Sequence, residues 1–204
     1  MGQFSISRLI KFGQKEHLES LLKRGEIFMN NIEYFRKYEE DMPEHLRGDK
    51  FECFDLISQH NVAFIDNNPL WKVDDITIFG DSNTWTGYLF CMYAVHSNRI
   101  SEPIDKRMLD FGDYALIIYH PLEFINRIKR YCNDNCMIAN CFPIIYYDEM
   151  SKDGLLLPFN KRRKYSYQNE ARVYIHSSSP KTNLTLNIGS IEDIAKIQKL
   201  VADE

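Results

Sequence analysis

The chain has 204 residues, 44% of them hydrophobic and 26% charged, with a formal net charge of −4. That composition suits one soluble globular domain spanning 1–204, and the negative balance argues against a general polyanion binder while allowing a local basic patch. No apolar run is long enough to cross a bilayer, and residues 1–8 lack the basic-then-apolar order of a signal peptide. A cytoplasmic location without membrane contact is the expectation. The five cysteines agree with it, being odd in number and lacking a secreted-type framework.

The first elements read strand, helix, strand. Phe4, Ile6, Leu9, Ile10 and Phe12 form an apolar stretch that ends at Gly13. Leu18, Leu21 and Leu22 then recur at helical spacing within Lys15 to Arg24, and Gly25 is placed to end that helix in a left-handed conformation. Glu26 to Asn30 reads as a second strand. Ile32, Phe35 and Tyr38 predict another short helix, followed by a charged segment from Glu39 to Glu52.

Strand-like runs follow at Phe54–Ile57, Val62–Ile65, Trp71–Phe79 and Trp85–Val95, with Asn and Gly clusters supplying turns between them. Tyr114 to Tyr119 is a compact apolar run that suits a buried strand. Pro121 opens a helix at its first turn, with Leu122, Ile125 and Ile128 as its expected core face. Cys136 to Tyr147 reads as one strand and Tyr165 to Ile175 as another, with Asn183–Ile188 as a hairpin-like partner of the latter. Ser190, followed by Asp193 in capping-box-like spacing, predicts a final helix carrying Ile191, Ile194, Ala195 and Ile197. Strands come in runs and helices are scattered. The expected class is therefore α+β, with a curved or split, mostly antiparallel sheet and flanking helices.

Tyr165 to Ile175 carries the strongest functional signal. Alternation would place Ser166, Gln168, Glu170, Arg172 and Tyr174 on one strand face. Such a polar face is either solvated, with a surface Glu170–Arg172 pair, or the floor of a polar site. In the second case Glu170 can hydrogen-bond a ribose hydroxyl and stabilise an oxocarbenium-like centre. Gln168, two residues earlier, can orient an acceptor. Lys161, Arg162, Arg163 and Lys164 stand directly before this stretch. Four cations beside Tyr165 and Tyr167 make a candidate nucleic-acid patch, and a basic loop between strands is the plainer alternative. Arg47, in a charged segment next to Gly48, could grip a phosphate as a fork or belong to a solvated loop. Metal binding is poorly supported. Cys132, Cys136 and Cys141 lack a second pair or a nearby His, and the six histidines show no ligand spacing.

Several blocks together resemble a widespread group of bacterial hypothetical proteins, some of them encoded near phage-defence genes. The blocks are Ile10-Lys11-Phe12-Gly13, Leu18 to Gly25, Tyr34-Phe35-Arg36, Arg47-Gly48-Asp49, Cys91-Met92-Tyr93, Phe111-Gly112-Asp113 and Tyr167 to Arg172. More distantly, the chain resembles ADP-ribosyltransferases, above all the DarT-like nucleic-acid-modifying toxins. Those also open strand, helix, Gly, strand and place a catalytic Glu in a late strand, sometimes as Gln-x-Glu. The resemblance implies an NAD-consuming fold with Glu170 catalytic and Gln168 positioning the acceptor. Lys11 and Phe12 would then stand at the first-strand motif on the nicotinamide side, where those transferases usually carry His or Arg.

Two functions follow as expectations. One is ADP-ribosyl transfer from NAD to a macromolecule such as nucleic acid, or NAD cleavage, in a phage-defence or toxin setting. Arg47 and residues 161–164 would hold phosphate or acceptor, and Tyr93 and Tyr167 would stack on nicotinamide or base. The other is a non-enzymatic module that binds a nucleotide, a nucleic acid or a phage protein.

Overall fold

A computed structural model describes residues 5–41, 56–62, 73–80, 85–148 and 156–200 (backbone only for 38–41, 56–62 and 73–80). The opening is strand, helix, strand: β1 (Ile6–Gly13), α1 (Lys15–Arg24) and β2 (Glu26–Asn31). Gly25 ends α1 at φ 65°, its N–H donating to the Leu21 carbonyl. A Cβ there would fall 2.0 Å from the Gly189 carbonyl oxygen, so both the conformation and the close approach require glycine. Next come α2 (Ile32–Asp41) and an antiparallel two-stranded pair, β3 (Leu56–Val62) and β4 (Val73–Gly80). The chain continues as β5 (Gly87–His96), β6 (Tyr114–Ile118), α3 (Pro121–Asp134), β7 (Ala139–Pro143), β8 (Ile145–Tyr147), β9 (Asn160–Arg162), β10 (Glu170–His176), β11 (Asn183–Asn187) and β12 (Ala195–Lys199).

The fold is α+β, and its main sheet has eight strands whose pairings are antiparallel. β5 is its spine. One edge of β5 pairs with β10 from Gly87 to Tyr93. The other edge is shared. β1 holds it from Tyr93 to His96, and β2 holds it at Tyr88 and Leu89. Between those two stretches the sheet forks. β1 turns away to pair with β6, and β2 turns away to pair with β11. α1 connects the two prongs. This fork is the split expected of the sheet, and it positions the site described below.

One face of the sheet packs into the principal core. Leu9, Met29, Phe90, Met92, Val173 and Ile175 meet Leu18 and Leu21 of α1 and Phe124, Ile128 and Cys132 of α3 in a single apolar cluster. The opposite face carries Ile10 and Phe12 near one end and Leu89 and Tyr174 near the other, each within a smaller cluster.

Several sequence expectations change, among them Cys136 to Tyr147, which forms two strands, β7 and β8, in different sheets. Tyr165 to Gln168 is not strand. Residues Arg163–Gln168 form a 3₁₀ helix, and β10 begins only at Glu170. Asn169 makes the break at φ 36°, with its side-chain amide bonded to the Ala94 carbonyl. Residues after Ser190 do not form a helix. Ile191–Ile194 is a turn, and Ala195–Lys199 adds a strand to β6, where edge pairing outweighs local helical spacing. Asp193 pairs with Arg127 of α3. β11 pairs with β2 and not with β10. Finally, α3 buries Phe124, Ile128 and Cys132 at i, i+4 and i+8, leaving Leu122 81% exposed.

Candidate functional site

The fork opens a cleft of about 520 Å³. Lys11 and Phe12 of β1 form one wall, and Glu26, Phe28 and Asn30 of β2 form the other. Leu89, Phe90 and Cys91 of β5 lie at the back, together with Gln168, Glu170, Arg172 and Lys161. The back of the cleft is where β5 has lost its partner on that edge. Lys11 addresses this directly, since its Nζ donates to the Cys91 carbonyl at 2.7 Å and lies 4.6 Å from the centre of the Phe90 ring. An ammonium thus satisfies a strand carbonyl at the gap between the two prongs.

Glu170 is the first residue of β10 and stands opposite Tyr93 in register. It is only 5% exposed. Its backbone N–H donates to the Tyr146 hydroxyl at 2.8 Å. Arg172 Nε donates to Oε1, and Lys161 Nζ donates to Oε2 at 2.8 Å. Burial alone would push this carboxyl up. The charges of Arg172 and Lys161 and the hydrogen bonds overcome that and hold it well below the usual carboxylate range. Glu170 is therefore a buried carboxylate fixed in its ionised form. Its charge acts on its surroundings in turn. The Cys91 thiol is pushed up to about 12, by burial first and by Glu170 second. The Tyr146 hydroxyl is raised by the same two causes.

Gln168 reaches this centre from the 3₁₀ helix and not from the strand. Its Oε1 accepts from Lys161 Nζ at 2.7 Å, and its Nε2 donates to the Tyr167 hydroxyl at 3.1 Å. An ammonium offers donors only, so the amide oxygen must face it and the NH₂ must face Tyr167. Arg172, 1% exposed, also donates from Nη1 to the Pro158 carbonyl at 2.8 Å. The solvated Glu170–Arg172 surface pair is thus excluded. The pair exists, and it is buried.

No family model, curated protein or solved structure matches the chain.

The cleft brings together Lys11, Phe12, Gln168, Glu170 and Lys161, all of them singled out by the sequence. Phe12 packs edge-on against Tyr93, ring centres 6.2 Å apart, and Tyr93 lies beyond it on a second hollow of about 360 Å³. That hollow is lined by Tyr167, Arg8, His96, Arg99 and Ile104 among others. A narrow gap bordered by Ile10, Tyr93, Gln168 and Glu170 lies between the two. Tyr167 carries the Arg107 guanidinium over its ring at 3.6 Å. Arg47 lies outside the described residues.

The basic run does not form one surface. Lys161 is 4% exposed and Arg162 is also buried, whereas Arg163 and Lys164 are exposed. Lys161 faces Glu170, and Arg162 packs against the Tyr165 ring. Among the described residues no group of three or more His, Cys, Asp or Glu could hold a metal ion, and no helix is long and apolar enough to cross a membrane.

Sequence reasoning missed Tyr146, Phe28 and Cys91 as parts of the site. Phe28 had a legible signal. Glu26, Phe28 and Asn30 alternate with the apolar Ile27 and Met29, so an aromatic sits on the polar face of β2, and it is 53% exposed there. Tyr146 had none, because its position depends on β8 pairing in parallel with β9.

Proposed function

We propose that the protein cleaves the bond between nicotinamide and ribose in NAD and transfers ADP-ribose to a macromolecule such as nucleic acid, or to water, in a phage-defence or toxin setting. The observation that carries this reading is the buried, ionised Glu170 at the back of the forked-sheet cleft. A dinucleotide with aromatic and anionic parts suits a cleft lined by Phe12, Phe28 and Phe90 and approached by the Lys11 ammonium.

In the reaction the C1′–N bond breaks and its electron pair leaves with nicotinamide, which departs neutral. Positive charge develops on the ribose carbon. Glu170 accepts a hydrogen bond from a ribose hydroxyl, and its negative charge stabilises that carbon more in the transition state than in the ground state. An acceptor oxygen or nitrogen then bonds to C1′ and releases its proton to water. Gln168, held by Lys161 and Tyr167, borders both the cleft and the gap toward the second hollow, where an acceptor would approach.

The test is incubation of the protein with NAD alone and with single-stranded DNA, RNA or protein, following nicotinamide release and labelled ADP-ribose. Glu170→Gln is expected to lower turnover by about 10²-fold or more, in line with the loss of one preorganised electrostatic group. Absence of turnover by the wild type with every acceptor would overturn the proposal. A second reading, a non-enzymatic nucleotide binder, is favoured by one observation: both Glu170 oxygens already accept from cations. NAD binding by calorimetry without nicotinamide release would support it.

A further inference from the structure

We propose that Lys161 is a positioning residue for the cleft, one ammonium group fixing both the Glu170 carboxylate and the Gln168 amide in the orientation they present to a ligand. This rests on the NAD-cleaving reading of the same site. The sequence offers Lys161 as one of four cations for a nucleic-acid surface, and the structure gives it a different place. β9 pairs in parallel with β8 and carries Lys161 under the start of β10, where it is almost wholly buried. Its Nζ lies 2.7 Å from Gln168 Oε1 and 2.8 Å from Glu170 Oε2.

The arrangement goes beyond an ion pair. Gln168 and Glu170 are not neighbours on one strand face, because Asn169 in a left-handed conformation separates the 3₁₀ helix from β10. Lys161 bonds to both. A donor-only group between two acceptors leaves each a single choice. The Gln168 oxygen turns toward Lys161, so its NH₂ turns toward the Tyr167 hydroxyl on the side of the second hollow. The Glu170 carboxylate is held at Oε2 by Lys161 and at Oε1 by Arg172, which fixes its plane. Arg172 is tied in addition to the Pro158 carbonyl. Among the described residues, the charged and titratable groups that face Glu170 are Arg172 on its own strand, Lys161 from β9, Cys91 from β5 and Tyr146 from β8.

The experiment compares full-length wild type, Lys161→Met, Lys161→Gln and Lys161→Arg, with Glu170 followed by ¹³C NMR of its side-chain carboxyl and assigned through Glu170→Gln. In the wild type the Glu170 signal is expected to stay that of a carboxylate down to pH 4. In Lys161→Met its titration midpoint should rise by at least one unit, and in Lys161→Arg it should return toward wild type. If Lys161→Met does not fold, the smaller polar change in Lys161→Gln carries the comparison. NAD turnover in parallel should show kcat reduced at least tenfold in Lys161→Met with KM changed less than threefold, and partial recovery in Lys161→Arg. An unaltered Glu170 titration in the folded Met or Gln variant overturns the proposal, as does unaltered kcat in an enzyme that turns over. If the wild type shows no turnover, the NAD reading fails, and the carboxyl titration still decides the role of Lys161.

Discussion

At the scale of single residues, Glu170 couples the site to the stability of the molecule. Its folded-state carboxyl is held low against the desolvation that would raise it, so folding favours the ionised form. A group whose folded pKa is depressed contributes stability that is fully present above the unfolded carboxyl value, about 4.3. That contribution is lost as pH falls toward the folded value. Glu170→Gln removes it and takes a negative charge away from the buried Arg172 and Lys161, a change that costs about 3–5 kcal/mol when one partner of a buried pair is removed. Urea unfolding of wild type and Glu170→Gln should therefore differ by about that amount at pH 7. The difference should begin to narrow below about pH 5 as the unfolded carboxyl of the wild type takes up its proton. A difference that stays constant down to pH 4 would show that the charge of Glu170 is not what stabilises the fold. The identity of Glu170 and Gln168 as candidates was legible from their spacing. Their surroundings were not, because Lys161, Cys91 and Tyr146 come from three other strands and meet them only through tertiary pairing.

At the scale of elements, the local sequence pattern sets the structure where local physics decides. The strand–helix–strand opening follows from Leu18, Leu21 and Leu22 on one helical face and from Gly25, whose left-handed conformation no neighbour could supply at similar cost. Gly25→Ala tests this directly. It combines a positive φ with a Cβ 2.0 Å from the Gly189 carbonyl oxygen, so it should destabilise the protein by more than the roughly 1 kcal/mol expected of a left-handed alanine alone. A melting temperature unchanged within error would mean that the α1–β2 turn and the Gly189 loop are not packed as described. Where tertiary pairing decides, the local signal misled. Tyr165 and Tyr167 have strand-forming side chains, yet they lie in a 3₁₀ helix because Asn169 breaks the strand and anchors to Ala94. Ser190 and Asp193 have the spacing of a helix start, yet the edge of β6 takes Ala195–Lys199 as a strand.

At the scale of the whole molecule, the fork in the sheet and the distribution of charge set what a large polyanion could meet. The chain carries a net charge of −4, and the tetrabasic run is its densest cluster of cations in sequence. Burial halves that cluster as a surface. Lys161 and Arg162 are inside, and only Arg163 and Lys164 are exposed to a polyanion. Each phosphate contact made by a cation on a single strand contributes about 0.7 to the slope of log affinity against log salt. If single-stranded nucleic acid is the acceptor, replacing both Arg163 and Lys164 by Ala should lower that slope by at most about 1.4, whereas a fully exposed run of four would account for about twice as much. The slope is measured by fluorescence anisotropy of a labelled oligonucleotide between low and physiological salt, for wild type and the double variant. A further drop of about 1.4 on also replacing Lys161 and Arg162 would mean that these two leave the interior when nucleic acid binds. Because Lys161 bonds to both Glu170 and Gln168, that outcome would also tie nucleic-acid binding to a rearrangement of the cleft.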